Sequence, residues 1–295
     1  MDRKKVCVIT GANSGIGKAA AEQIGGCGYH VVMACRSVER GDAAKAEILA
    51  RVPEASLEVM KVDMGSRASI IDFSRRLVDM HSVVDVLIHN AAVFDIGRKE
   101  PLKTEDGFES VWAVNHLGPV LMTELLLDGI RKSGRGRIIT VSSKGLVVMP
   151  RLKVDIEDPE FENRRYSVNK AYYQAKRAQV IYTWWLADRL QNSGVTANCV
   201  RVTAVRLDLS RHPEISGLQR WVYPLKSRMS LSPDEMARTY TWLATSEEAA
   251  EENGGYFDEK RRKVDSVPYT HDPLTIDAVM RLTARYVPEI AGALK

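Results

Sequence analysis

Six short, mostly β-branched apolar runs alternate with longer stretches of helical periodicity through the first two-thirds of the chain. That alternation constrains the fold more than any other feature. Val6 to Thr10, His30 to Cys35, Leu57 to Val62, Val84 to His89, Arg137 to Ser142 and Val195 to Val200 read as strands. Each is near-continuously apolar, as expected of strands covered on both faces. Between them, Ile70, Phe73, Leu77 and Met80 recur at helical spacing, as do Val114, Leu117, Leu121 and Leu125; Ala171, Ala175, Ala178, Tyr182 and Trp185 give a third stripe. Strand and helix repeated this often specify a parallel sheet with helices on both faces. No linker, repeat or low-complexity tract divides the 295 residues, so the reading is a single doubly wound α/β domain of Rossmann type.

Composition excludes several alternatives. With 45% apolar and 27% charged residues the chain is neither disordered nor collagen-like. A net charge of +4 from 42 basic and 38 acidic residues is too balanced to point to nucleic acid or an acidic membrane. The basic run Lys260 to Lys263 follows an acidic stretch, Glu247 to Glu252, and reads as a solvated loop. Cys7, Cys27, Cys35 and Cys199 are scattered without CxxC spacing, so neither a disulfide framework nor a metal site is expected, and Cys7, Cys35 and Cys199 read as small buried hydrophobes. No apolar run approaches the ~20 residues that span a bilayer, and Val6 to Thr10 is too short for a signal-peptide core. The expectation is a cytoplasmic protein.

Thr10-Gly11-Ala12-Asn13-Ser14-Gly15-Ile16-Gly17 directly follows the first strand and opens a helix. Gly11 suits a tight turn, Gly15 lets backbone approach a pyrophosphate, and Gly17 permits close packing of helix and strand. The amides from Asn13 and Ser14 through Ile16 would face phosphates at the favourable end of the helix dipole. Where NAD-preferring sites carry an acidic residue after the second strand, this chain has Arg36, in Ala34-Cys35-Arg36-Ser37. A guanidinium pairs with a 2′-phosphate through parallel hydrogen bonds, which favours NADP(H) over NAD(H).

Two Tyr-x-x-x-Lys pairs lie almost side by side, Tyr166/Lys170 and Tyr172/Lys176. Four-residue spacing puts phenol and ammonium on one helix face, where the cation favours phenolate. Bringing a phenol from about 10 towards neutrality takes about 3–4 kcal/mol, more than one exposed pair supplies. Tyr172/Lys176 starts the apolar-striped helix that runs to about Gln191, whereas Tyr166/Lys170 falls in a polar stretch, so Tyr172/Lys176 is the chosen pair.

The chain resembles the short-chain dehydrogenase/reductase superfamily. The resemblance rests on Gly11/Gly15/Gly17, His89-Asn90-Ala91-Ala92, Asn115-His116-Leu117-Gly118, Val141-Ser142-Ser143 and Tyr172-Tyr173-Gln174-Ala175-Lys176, in that order, and extends from about residue 4 to 260. Ala34-Cys35-Arg36-Ser37, Asn115-His116-Leu117-Gly118 and Gly255-Tyr256-Phe257 are similar to its retinol dehydrogenase-like branch. The resemblance implies a seven-stranded parallel sheet in order 3-2-1-4-5-6-7, with a dinucleotide-binding part at about 1–142, a catalytic and substrate part at about 143–260 and a C-terminal extension, 261–295. It implies a tetrad of Asn115, Ser143, Tyr172 and Lys176, with Ser142 the alternative serine. Tyr172 would be the general acid or base, Ser143 would support the oxyanion, Lys176 would bind the nicotinamide ribose and Asn115 would hold a water. Asp63 and Met64 would contact adenine, and Asn90 and Ala91 would lie against the cofactor. Dimers of the superfamily often form through the helices that here span about 107–131 and 166–191.

Arg201-Val202-Thr203-Ala204-Val205-Arg206-Leu207-Asp208 departs from the family's Pro-Gly and threonine, with Leu207 where that threonine is expected. Nicotinamide orientation would then rest on backbone groups or Thr203. The branch's frequent membrane helix is absent, which favours a soluble enzyme. The leading reading is an NADP(H)-dependent oxidoreductase acting on a carbonyl or alcohol of a small hydrophobic substrate, walled by Val147, Val148, Met149 and by residues of segment 207–232, where Trp221 and Tyr223 serve equally well as walls or as packing onto the body. The alternatives are a catalytically impaired NADP(H)-binding sensor or scaffold, or an epimerase or double-bond reductase on the same fold.

Overall fold

The computed structural model describes residues 3–206 and 230–294. Its centre is a parallel sheet of β1 (Val6–Thr10), β2 (His30–Cys35), β3 (Ser56–Lys61), β4 (Val86–His89), β5 (Gly136–Ser143), β6 (Val195–Val202) and β7 (Tyr256–Phe257), in order 3-2-1-4-5-6-7. The sheet reverses its direction of growth between β1 and β4, the topological switch point at whose carboxyl side ligands collect. The helices are α1 (Gly15–Gly26), α2 (Val38–Leu49), α3 (Arg67–Met80), α4 (Ser110–Trp112), α5 (Gly118–Arg131), α6 (Val168–Arg189), α7 (Pro233–Thr245) and α8 (Pro273–Tyr286).

Alternation along the strands divides the core into two layers. Val8, Val32 and Leu87 pack with Phe73 and Leu77 of α3, Leu121 of α5 and Tyr182 of α6. Cys7, Ile9, Val31 and Met33 pack on the other face with Ile24 of α1, Ile48 of α2 and Tyr240 of α7. Cys7, Cys35 and Cys199 are buried as expected, and Cys27 is exposed.

The sequence reading needs correction at the edges. β3 is an edge strand, so Leu57 and Met60 are buried while Lys61 is exposed; it is not covered along its length. Met80, at 49% exposure, lies beyond the buried stripe of α3. The expected helix 107–131 is α4 and α5 joined through a π turn, Ala113–Leu117. In the C-terminal extension, α8 buries Val279, Met280 and Leu282 and packs on α6. His116 Nε2 lies 2.8 Å from Thr283 Oγ1, so α8 occupies part of the helical face expected to pair two subunits. Leu207, Asp208, Trp221 and Tyr223 lie outside the described residues. Among those described, no helix is long and apolar enough to cross a membrane.

Candidate active site

A cleft of about 480 Å³ opens across the carboxyl ends of the strands. It is lined by Gly11, Asn13, Ser14, Gly15 and Ile16 from the first turn, Arg36 after β2, Val62, Asp63 and Met64 after β3, and Asn90 and Ala91 after β4. Gly11 and Gly15 hold positive φ, 68° and 54°, which L side chains avoid. Gly17 serves proximity instead, since a Cβ there would sit 2.4 Å from Asn90 Nδ2 and 2.6 Å from the Gly11 carbonyl oxygen. Asn90 ties the turn down: its Nδ2 donates to the Thr10 carbonyl at 2.9 Å, and Ala91 N donates to Thr10 Oγ1 at 3.0 Å.

The N-terminus of α1 differs from those of its neighbours in having no side-chain cap. Helices α2, α3, α6, α7 and α8 are capped by the side chains of Ser37, Ser66, Ser167, Ser232 and Asp272. Ser14 makes no such bond, which leaves the first amides of α1 open towards the cleft. Arg36, Arg40 and Arg206 line the same cleft. Sequence reasoning missed Arg40, on the first turn of α2, and Arg206; a count of cations within a turn of Arg36 would have found the first. Asp63 is spent partly on its own turn, its Oδ1 accepting from Gly65 N at 2.8 Å. Thr203 is half-buried and does not line the cleft, where Val205 and Arg206 stand in its place. Thr203 immediately follows β6, ahead of those two residues.

Val93 lines the cleft, and Phe94 follows it. Phe94 stacks on Tyr172 with ring centroids 4.3 Å apart. Ser143, at the end of β5, accepts from Gly145 N at 3.1 Å and lies close enough to Tyr172 to draw the phenol's proton affinity down. Ser142 faces the opposite way and donates to the Lys176 carbonyl at 3.1 Å, as strand alternation requires. Lys176 is 2% exposed, its Nζ 5.7 Å from the Tyr172 ring centre and donating to the Val141 carbonyl at 2.9 Å. Burial brings the Lys176 ammonium down to about 8. Burial, with Tyr173 alongside, pushes the Tyr172 phenol well above its usual value, against the opposing effect of Ser143. The lysine alone does not acidify the phenol.

The other pair has a different use. Tyr166 precedes α6, is buried and donates to Glu109 Oε1 at 3.1 Å, while Lys170 is exposed. Asn115 sits in the π turn with both amide atoms on one residue: Oδ1 accepts from Val93 N at 2.8 Å and Nδ2 donates to Val93 O at 2.9 Å. Its side chain thus fixes the loop carrying Phe94, where the resemblance assigned it a water; a π turn inside a helix commonly marks such functional positions. His89 is held neutral, its imidazole brought down to about 3 by burial, and hydrogen-bonds Thr123. Phe94 is a further residue the sequence reading passed over, since only the fold sets it against α6.

The match to known proteins agrees with this architecture. The short chain dehydrogenase family model matches residues 5–153. Human retinol dehydrogenase 13 is 37% identical over 262 residues, covering 88% of this chain and 77% of that protein. Human retinol dehydrogenase 12 is 37% identical over 258 residues, covering 88% and 78%. A crystal structure of an uncharacterised protein from Mycobacterium paratuberculosis superposes with a TM-score of 0.73 at 27% identity, over 95% of this chain and 92% of that one. L-sorbose reductase from Gluconobacter frateurii, solved with NADPH and L-sorbose, shares the fold with a TM-score of 0.70 at 21% identity, over 86% and 94%. The chain belongs to the short-chain dehydrogenase/reductase family, in its retinol dehydrogenase-like branch.

Proposed function

We propose that this protein is an NADP(H)-dependent oxidoreductase that interconverts a carbonyl and an alcohol on a small hydrophobic substrate, with Tyr172 as general acid and base. The observation that carries the reading is the meeting of Ser143 with Tyr172 beside a buried ammonium, with Phe94 stacked on the phenol one residue past Val93 of a cleft that holds the uncapped start of α1. The open amides of α1 would hold the dinucleotide's phosphates, and the Arg36 and Arg40 guanidiniums its 2′-phosphate. The nicotinamide, when bound, supplies or accepts the hydride.

The residues of the chain do the proton chemistry. Burial keeps Tyr172 protonated at neutral pH, so it holds the proton that passes to the carbonyl oxygen during reduction, and the Lys176 cation would offset the cost that burial puts on releasing it. Ser143 donates a hydrogen bond to the same oxygen as its charge grows. Lys176, largely cationic below about 8, then stabilises the phenolate left behind. In the oxidising direction Tyr172 must first lose its proton, so alcohol oxidation is favoured as pH rises. Asn115 acts through Val93, holding the loop in place, and any water linking Lys176 to solvent rests on backbone groups. Phe94, with the exposed Val147 and Val148 after β5, gives the approach an apolar wall. The names of the curated relatives, retinol dehydrogenases, point to the same class of apolar alcohol and aldehyde.

Fluorescence titration with NADPH and NADH, followed by turnover on a panel of apolar aldehydes, ketones and alcohols, tests the proposal. NADPH is expected to bind at least tenfold more tightly, and Arg36→Asp to flatten or reverse that preference. Equal affinities in the unmodified protein would sink the NADP(H) assignment. Tight binding with no turnover on any substrate would favour a sensor or scaffold.

A further inference from the structure

Positions 30, 58 and 81 form no recognisable motif, yet the topology gathers them far from the cleft. His30 opens β2, Glu58 lies near the start of β3, and His81 follows the last turn of α3. His30 Nε2 is 3.2 Å and His81 Nε2 3.0 Å from the same Glu58 oxygen, Oε2. One ligand atom from each residue falls within 4.8 Å of both others. Around tetrahedral zinc with bonds of about 2.0–2.1 Å, neighbouring ligand atoms stand about 3.3 Å apart. Both histidine–glutamate separations are within a few tenths of an ångström of that spacing.

The surroundings suit a metal ion. His30 Nδ1 is 2.8 Å from Ser56 Oγ. An Nδ1–H donated to that hydroxyl leaves the Nε2 lone pair aimed at the carboxylate, the orientation that outer hydrogen bonds impose on histidine ligands. In the metal-free protein an Nε2–H to the carboxylate serves instead, and a cation would take that proton's place. The carboxyl end of α3 adds the negative pole of its dipole beside His81. Side-chain exposures of 20% for His30, 21% for His81 and 30% for Glu58 leave room for a water as fourth ligand.

We propose that His30, Glu58 and His81 form a binding site for zinc or a similar divalent transition metal, which clips the end of α3 to the edge of the sheet. Two imidazoles and a carboxylate select this class over magnesium or calcium, which prefer oxygen ligands. The site lies towards the amino ends of β2 and β3, whereas the cleft opens at the carboxyl ends. The metal therefore stabilises the fold and takes no part in turnover.

The test uses the full chain, free of any purification tag and stripped with chelator. Calorimetric titration with zinc chloride at neutral pH should give one equivalent per chain, and the melting temperature should rise with zinc. His30→Ala, Glu58→Gln and His81→Ala should each weaken zinc binding at least tenfold and abolish the thermal shift, while NADPH binding stays unchanged. As a check that needs no variant, zinc should perturb the imidazole resonances of these two of the chain's six histidines alone. The proposal is overturned by absent binding, by one-equivalent binding that survives the His30→Ala/His81→Ala double variant, or by zinc shifts at other histidines only.

Discussion

Lys176 is an ammonium held out of water, and replacing it should make the protein more stable. It is 2% exposed and has no ion-pair partner among the described residues. Its proton affinity falls from 10.5 to about 8 on folding. At about 1.4 kcal/mol per pH unit, that corresponds to about 3 kcal/mol of destabilisation at neutral pH. Between about 8 and 10.5 the unfolded chain keeps a proton that the folded chain has lost, so stability rises with pH through that window; below it the full penalty applies. Lys176→Met removes the charge with little change of volume but forfeits the hydrogen bond to Val141, worth about 1 kcal/mol. The variant should therefore be about 2 kcal/mol more stable than the parent at pH 7, and the advantage should disappear by about pH 10.5. Urea denaturation of both proteins at several pH values measures this. A variant that is less stable at pH 7, with a difference independent of pH, would refute the reasoning. A gain in stability with loss of turnover would mark Lys176 as retained for chemistry at the expense of the fold.

Two further outcomes follow from the geometry. Gly17→Ala puts a methyl group 2.4 Å from Asn90 Nδ2 and 2.6 Å from the Gly11 carbonyl; it should cost about 1–3 kcal/mol in urea denaturation and abolish NADPH binding by titration, whereas unchanged binding would show that the turn does not cradle the phosphates. Phe94→Ala removes a ring stacked on Tyr172, a contact worth about 0.5–1.5 kcal/mol, and should raise KM for small apolar aldehydes while admitting bulkier ones; an unchanged substrate range would remove Phe94 from the pocket wall.

Much of this fold was legible because one physical rule, burial of a parallel sheet on both faces, produces contiguous apolar runs. The rule failed where its premise failed: β3 is at the edge, and its outer residues meet solvent. The π turn escaped because an extra residue per turn leaves the apolar stripe through Leu117 and Leu121 intact. At the site, local motifs were readable and long-range ones were not. Gly11, Gly15 and the Tyr172/Lys176 spacing are encoded within a few residues. The choice between Ser142 and Ser143 depends on strand phase, and Phe94 meets Tyr172 only once β4 and α6 are packed. Likewise, nothing in positions 30, 58 and 81 betrays their meeting until β2 pairs with β3 and α3 ends beside them.

The account depends on the Tyr172 phenol as the proton carrier, and Tyr172→Phe tests it most directly, because the ring and its stacking on Phe94 survive while the hydroxyl is lost. With NADPH and an aldehyde that the parent protein reduces, the variant should bind NADPH within a few-fold of the parent and lose at least about a hundredfold in kcat. Turnover close to that of the parent, with NADPH bound as tightly, would contradict the account and move the proton to another group.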